Sequence, residues 1–296
     1  MKTICIYHGG CADGFTAAWV VARAAALRGI EIEFVAAQYQ QPPPDVTGKR
    51  VIMVDFSYKR AELVAMLAQC ESLLIIDHHK TARPEIEAVA DDAKLTVMFD
   101  LERSGAGLAW DHFFPGVARP RLVDLVEDRD LWKFDKADSR EVHAYLMSHR
   151  YGFETWSTIC DRLDDDTGAA RIAEAGEAID RAHLKNIREL IASASYIGNI
   201  TGYAVPILNA PYFMASDAGN IMAEGHAFAA CWFSDGKVDK YSLRSKKGGA
   251  DVSEIAQLWG GGGHARAAGF AVAHGTGVAL RPGLASAMLG EEEGRF

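Results

Sequence analysis

Short apolar runs that end abruptly at acidic or imidazole side chains dominate the first eighty residues. They occupy residues 3–7, 51–54 and 73–76. Each run is too brief for a globular helix and is bounded by polar residues, as expected of strands buried in a parallel sheet. Apolar residues at helical spacing fill two of the intervals, Phe15–Leu27 and Lys59–Cys70, and a further strand is predicted at 31–36. This alternation predicts a βαβ series, and hence a doubly wound parallel sheet.

Potential metal ligands follow each of the three apolar runs. His8 and, after a glycine-rich turn, Asp13 follow the first run, Asp55 follows the second, and Asp77-His78-His79 follows the third. Because the carboxyl ends of parallel strands lie along one edge of a sheet, these side chains can converge there. The alternative, that they are solvated loop residues, does not explain why the pattern repeats. The sequence therefore predicts a ligand-bearing cleft at this edge.

The remainder of the first domain is predicted to be mainly helical. A last strand is expected at Thr96–Phe99, followed by a helix that Ser104 caps and that runs through Phe113. Small residues in its first turn could admit a phosphate or simply pack tightly. The segment Glu127–Lys133 follows a buried stretch and is either a solvated face or another ligand-bearing segment. Residues 139–191 are predicted to be helical, which places a first domain with its helical connector at 1–192.

A smaller α/β domain is predicted at 203–290. Its strands are expected at 203–208, 227–233 and 240–244, and its helices at 214–225 and 251–259. Four consecutive glycines, Gly260–Gly263, lead into His264 and Arg266. Bare backbone N–H groups suit a loop that closes around an anion and opens a short helix. A flexible linker is the alternative, but apolar sequence resumes at once.

Composition and charge limit the kinds of molecule that the protein is expected to bind. The formal net charge of −9 over 296 residues disfavours a protein that grips a long duplex, yet permits a small anionic substrate held by local positive charge. The five cysteines are scattered, which predicts neither a disulfide framework nor a zinc ribbon. No apolar run is long enough for a membrane span or a signal sequence. We therefore expect a cytoplasmic protein without a membrane partner. The sequence does not decide whether the protein forms a homodimer.

Together these segments resemble the DHH phosphoesterase superfamily with its DHH-associated C-terminal domain. The superfamily includes RecJ-type exonucleases, nanoRNases and cyclic-dinucleotide phosphodiesterases. His8-x-x-x-x-Asp13-Gly14, Asp55, Asp77-His78-His79 and Asp128 resemble its first four motifs. Arg244-Ser245 and the glycine run with His264 resemble its substrate-binding motif. The resemblance covers most of the chain, and the motifs follow in the right order.

The resemblance implies a site residue by residue. It implies two manganese ions, with magnesium as the alternative, and oxygen-rich ligands with imidazoles suit both metals. The implied ligands are His8, Asp13, Asp55, His78 and Asp128. His79 is implied to contact the scissile phosphate or protonate the leaving group, and Asp77 to orient an imidazole. The implied substrate-binding residues are Arg244, Ser245, Gly261, Gly262, Gly263, His264 and Arg266.

Two positions leave the ligand set open. The first motif usually reads Asp-x-Asp, whereas this chain has Cys11 before Asp13. Either Cys11 and His8 complete the first metal site, or that ion is held more weakly. At the fourth motif Asp128 fits the position, but Asp130 or Asp124 lies within one helical turn of it.

The expected activity is metal-dependent hydrolysis of short single-stranded RNA or DNA, or of linear dinucleotides, to nucleoside monophosphates. Two alternatives use the same metals: a phosphatase acting on 3′-phosphoadenosine 5′-phosphate, and a cyclic nucleotide phosphodiesterase. An alternative of another class is a nucleotide-binding regulator without hydrolysis. Clustered carboxylates disfavour the regulator, because they repel phosphate unless a cation intervenes.

Overall fold

The structure is a computed structural model that describes residues 2–278 of the chain. It divides into two compact units, Met1–Ala182 and His183–Phe296, called here the N-terminal and the C-terminal unit.

The N-terminal unit is built on a five-stranded, all-parallel sheet. Its strands are β1 (Thr3–His8), β2 (Ile32–Ala37), β3 (Arg50–Val54), β4 (Ser72–Asp77) and β5 (Leu95–Phe99). Their order in the sheet is β2-β1-β3-β4-β5, and every neighbouring pair is parallel. This is a doubly wound order whose switch point lies between β1 and β3. The ends of β1 and β3 therefore flank a crevice at the carboxyl edge.

Helices cover both faces of this sheet. They are α1 (Ala12–Leu27), α2 (Arg60–Gln69), α3 (Arg83–Glu87), α4 (Gly105–Phe113), α5 (Arg121–Asp130), α6 (Ser139–Met147), α7 (Phe153–Leu163) and α8 (Asp166–Ala194). One buried cluster packs α1, α4, α5 and α7 against one face of the sheet, and a second packs α2 and α3 against the other. Burial on both faces explains why the strands are almost continuously apolar. The long helix α8 contains the boundary between the units.

The C-terminal unit contains a six-stranded mixed sheet. Its strands are β6 (Tyr196–Ile200), β7 (Tyr203–Asn209), β8 (Ala229–Ser234), β9 (Val238–Arg244), β10 (Gly262–His264) and β11 (Ala267–Ala273), in the order β10-β11-β9-β8-β7-β6. Two helices, α9 (Tyr212–Met222) and α10 (Val252–Leu258), complete the described part of the unit. The predicted fold class, a parallel-sheet α/β domain and a smaller α/β domain linked by a long helix, is confirmed.

One local prediction in this unit is wrong, and one strand was not predicted. Residues 196–200, which lie between the two predicted domains, form β6 because they pair antiparallel with β7. His264 does not lie in a helix, because Gly262–His264 is a strand that pairs with the start of β11. The glycines also have a packing role: a Cβ at Gly261 would lie 2.1 Å from the carbonyl oxygen of Gly269, and Gly263 has a φ of +138°.

Within residues 2–278, no helix combines the length and the apolar character needed to cross a membrane.

Candidate metal centre

Acidic and imidazole side chains gather at the carboxyl edge of the N-terminal sheet. His8 ends β1, Asp55 follows β3, and Asp77 ends β4. Asp13, Asp55, Asp77, His78 and His79 are all at most 7% exposed. Buried charge of this density is rare unless the groups are paired or bind a cation.

Asp55 lies at the centre of the cluster in a strained backbone conformation. Its φ is +54°, in the left-handed region that non-glycine residues seldom occupy. Its backbone N–H donates to Ile76 O at 2.8 Å, which is the last hydrogen bond of this segment to β4. The strained residue therefore lies at the point where the pairing with β4 ends. Such strain costs on the order of 1–3 kcal/mol and persists where the surroundings fix it, commonly at functional sites.

One oxygen of Asp55 faces a group that also contains Asp13 and Asp130. His78 Nε2 lies 3.0 Å from Asp55 Oδ1, 3.8 Å from Asp13 Oδ2 and 3.6 Å from Asp130 Oδ2. The ligand atoms of Asp13, His78 and Asp130 all lie within 4.8 Å of one another. This spacing fits side chains that share one cation.

The other oxygen of Asp55 faces His8. His8 Nδ1 and Asp55 Oδ2 lie 3.5 Å apart, and the ligand atoms of His8, Asp55 and His79 again lie within 4.8 Å of one another. Neither His8 Nδ1 nor Asp55 Oδ2 has a hydrogen-bond partner in the described part of the chain, although both atoms are buried. A buried polar atom without a partner costs about 1–3 kcal/mol, and a cation would remove that cost. Asp55 therefore connects two ligand groups, one on each carboxylate oxygen.

The N-terminus of α4 holds Asp13. Backbone N–H groups of Gly105 and Ala106 donate to Asp13 Oδ2 and Oδ1 at 2.6 and 3.0 Å. Of the two interpretations of this helix start, tight packing is the one observed: a Cβ at Gly105 would lie 2.5 Å from Asp55 Cβ. Ser104 caps α4 as predicted, because its side chain accepts the N–H of Gly107. A carboxylate, rather than a phosphate, occupies the positive end of this helix.

Asp77 fixes the position of His79. Asp77 Oδ1 lies 2.7 Å from His79 Nδ1 and also accepts the backbone N–H groups of His78 and His79. A carboxylate at this distance from Nδ1 orients the imidazole ring and keeps a proton on Nδ1.

The cluster strongly perturbs the pKa values of its members. Burial lowers the pKa of His78, but the Asp55 hydrogen bond and the carboxylates of Asp130, Asp55 and Asp13 outweigh it and raise that pKa to about 10. Burial, reinforced by the charges of Asp55 and Asp130, raises the pKa of Asp13 well above its ordinary value. Burial also opposes ionisation of Asp55, but His78 and His8 hold the pKa of Asp55 well below its ordinary range. The cluster without cations therefore retains protons on His78 at neutral pH.

At the fourth motif the structure favours Asp130 and not Asp128. Asp130 contributes to the cluster, whereas the carboxylate of the buried Asp128 accepts the backbone N–H groups of Asp135 and Lys136, at 2.9 and 3.4 Å. It thereby holds a loop in which Trp132, Phe134 and Asp138 all have positive φ. Asp124 instead pairs with Lys136, at 3.4 Å.

Cys11 lies at the N-cap of α1, next to the cluster but outside both ligand groups of the N-terminal unit. Burial, with the charges of Asp55, Asp130 and Asp13, raises the pKa of its thiol well above the ordinary value. The thiol is therefore protonated in the cluster without cations.

The substrate-binding residues predicted from the C-terminal unit gather at one end of its sheet. The pairing places His264 opposite Ala267 and Ala267 opposite Arg244. Arg244 donates to Ser216 Oγ at 2.8 Å, and the N–H of Ser245 donates to Arg266 O at 3.1 Å. Gly261, Gly262 and Gly263 lie on the segment that leads into this end.

The sequence indicated that the first turn of α4 has accessible backbone N–H groups, but not that those of Gly105 and Ala106 bind the carboxylate of Asp13. A serine N-cap followed by small residues marks such a helix start without identifying its acceptor.

Comparison with known proteins decides the family. Over 289 residues the chain is 30% identical to an uncharacterized protein of Acanthamoeba polyphaga mimivirus, covering 90% of this chain and 67% of that protein. Over 222 residues it is 26% identical to the oligoribonuclease NrnB of Bacillus subtilis, covering 67% and 52%. RecJ of Thermus thermophilus, solved with Mn²⁺, superimposes with a TM-score of 0.50 at 16% identity, covering 92% of this chain and 49% of RecJ.

The chain belongs to the DHH phosphoesterase superfamily. Its DHH triplet is Asp77-His78-His79, at the end of β4. No protein-family profile matches the sequence. The chain spans about half the length of NrnB and of RecJ, and two thirds of the length of the mimiviral relative.

Proposed function

We propose that this DHH protein is a phosphodiesterase that requires divalent cations and hydrolyses short oligonucleotides or linear dinucleotides to nucleoside monophosphates. The observation that carries the proposal is Asp55, a strained and buried carboxylate whose two oxygens face two separate groups of ligand atoms. A carboxylate placed in this way suits a pair of cations a few ångströms apart, the arrangement used for in-line displacement at phosphorus.

The donor set fits such cations. We propose that Asp13, Asp55, His78 and Asp130 hold one ion and that His8 and Asp55 contribute to the other. The unpartnered, buried Asp55 Oδ2 and His8 Nδ1 are the atoms that a cation would satisfy. Carboxylate oxygens with one or two imidazoles favour manganese or magnesium over zinc, and manganese is our first choice.

When bound, the ions would polarise the phosphoryl oxygens and lower the pKa of a water molecule. The chain's own residues would place the reacting groups. The Nδ1 of His79 lies 2.7 Å from Asp77 Oδ1, and we propose that its Nε2 protonates the leaving oxygen. Burial disfavours a charged His79, but Asp77 outweighs it and raises the pKa of His79, which favours this role as an acid.

Charge and the relatives support a short substrate. The net charge of −9 opposes tracking along a long polyanion. The Bacillus subtilis relative is named an oligoribonuclease. We propose that Arg244, Ser245, His264, Arg266 and the glycine segment Gly261–Gly263 of the C-terminal unit bind phosphate or base groups of such a substrate.

A length series tests the function. RNA and DNA strands of two to twenty nucleotides are incubated with Mn²⁺, with Mg²⁺ or with a chelator, and the released mononucleotides are quantified. We expect strands of two to five nucleotides to be hydrolysed, a twentymer to react at least about tenfold more slowly, and the chelator to abolish turnover. Hydrolysis of 3′-phosphoadenosine 5′-phosphate or cyclic nucleotides, with every oligonucleotide left intact, would refute the proposal.

Proton release tests the cation site separately from activity. Because the pKa of His78 is about 10, a cation that binds this imidazole must displace its proton at neutral pH. We expect about one proton or more to be released per protein, so affinity for Mn²⁺ should rise by up to about tenfold per pH unit for each proton released. Titration calorimetry at pH 7 in buffers of different ionisation enthalpy measures this release. A binding enthalpy that does not depend on the buffer would contradict it.

A further inference from the structure

Tyr39 lies at the same sheet edge as the cluster, two residues beyond the end of β2. Its ring packs against three rings of that edge: the ring centroids lie 5.6 Å from His8, 5.0 Å from Phe56 and 6.0 Å from His79. Aromatic contacts on several sides fix the ring and thereby the direction of its hydroxyl group. Tyr39 is therefore part of the wall of the candidate site.

The Tyr39 hydroxyl is buried and has no hydrogen-bond partner among residues 2–278. Three further buried atoms at this edge share that condition, namely His8 Nδ1, Asp55 Oδ2 and Asp77 Oδ2. Buried tyrosine hydroxyls usually find a partner, because an unmet donor costs about 1–3 kcal/mol. Four such atoms at one sheet edge indicate that groups from outside the chain complete the site.

Cations alone cannot complete it. Carboxylate oxygens and an imidazole nitrogen can each bind a metal ion, but a phenol O–H is a donor and needs an acceptor. A tyrosine phenol, whose ordinary pKa is about 10, keeps its proton at neutral pH. The acceptor that the proposed substrate brings to this edge is a phosphate oxygen.

We propose that the Tyr39 hydroxyl donates a hydrogen bond to a nonbridging oxygen of the scissile phosphate. This inference rests on the proposed phosphodiesterase function and adds to it a catalytic residue. Such a donor would stabilise the charge that develops on phosphorus oxygens in the transition state. Asp77 Oδ2 is the competing acceptor within the chain, and in that case Tyr39 would only help to position His79.

The test compares Tyr39→Phe with wild type on a linear dinucleotide and on its two phosphorothioate diastereomers. The substitution keeps the ring and removes only the hydroxyl group. We expect kcat/KM for the phosphate substrate to fall about 10- to 100-fold, while Mn²⁺ affinity and Tm stay unchanged. Sulfur is a weak acceptor, so the preference of wild type for oxygen over sulfur in one diastereomer should shrink in the variant.

Tyr58→Phe is the matched control. Tyr58 is also buried, and its ring contacts Phe56 at 4.9 Å between centroids. Within residues 2–278 its ring stacks on neither His8 nor His79. It should retain wild-type kinetics. An unchanged kcat/KM in Tyr39→Phe overturns the inference, and so does a loss with an unchanged oxygen-to-sulfur preference, which assigns the hydroxyl to Asp77. A wild-type protein that cleaves neither a dinucleotide nor strands of three to five nucleotides refutes the proposed function, and this inference with it.

Discussion

Replacing Asp55 by asparagine should abolish hydrolysis, lowering kcat by about 10³-fold or more. The amide removes the negative charge that both ligand groups share and leaves at most one oxygen to bind a cation. Its volume and its tolerance of positive φ match those of aspartate, so the strained end of β3 should survive. Turnover of a dinucleotide and the number of Mn²⁺ ions bound, measured by calorimetry, report the two effects.

Asparagine is preferable to alanine at this position. Alanine at a φ of +54° would be strained as well as uncharged, and a loss of folding would then be confused with a loss of cations. Asp91→Asn, at an exposed position, is the matched control and should leave turnover and Mn²⁺ stoichiometry unchanged. Undiminished hydrolysis by Asp55→Asn would remove the cation mechanism.

Asparagine at position 130 should lower kcat/KM by about 10²- to 10³-fold, whereas asparagine at position 128 should chiefly lower stability. Asp130 Oδ2 lies 3.6 Å from His78 Nε2, within the ligand group. Asp128 instead accepts the backbone N–H groups of Asp135 and Lys136, so its replacement should cost about 1–3 kcal/mol of unfolding free energy. Kinetics, Mn²⁺ titration and thermal unfolding of both variants separate these roles.

The pair of variants also acts as its own control. Each removes one negative charge from the same helical turn, so a general electrostatic effect would change both alike. If Asp128→Asn lost a bound ion and Asp130→Asn did not, the assignment from the sequence motif would be restored and the one from the structure would fail.

Strand ends were the most predictable part of this molecule. A buried parallel strand has an apolar run as its sequence, and the carboxyl ends of such strands lie at one edge of the sheet. The convergence of His8, Asp55 and His78 could therefore be predicted without knowledge of the tertiary structure. The same rule applied to the strand at 31–36 points to the residues just after it, where Tyr39 lies. Tyr39 was missed because an aromatic side chain carries no metal-ligand signal.

The choice between Asp128 and Asp130 could not be made from the sequence. Two residues apart at the end of α5, they point in different directions, and the direction of each depends on the loop that follows. That loop has three non-glycine residues at positive φ, which no propensity predicts.

The glycine run illustrates the opposite error. Bare N–H groups at Gly260–Gly263 suggested a helix start, but tertiary pairing with β11 decided the conformation. The sequence does not show why a glycine is required. The reason can be a neighbouring strand that passes close to it or an anion that its N–H group binds.

The arrangement of the ligands along the chain has a consequence for assembly of the protein. They come from β1, the first turn of α1, the residues that follow β3 and β4, and the end of α5, so no fragment that lacks any of these segments contains the whole set. Because such distant segments meet late in folding, tight cation binding should require the complete sheet. The ions would then stabilise the native state after it has formed and would not nucleate folding.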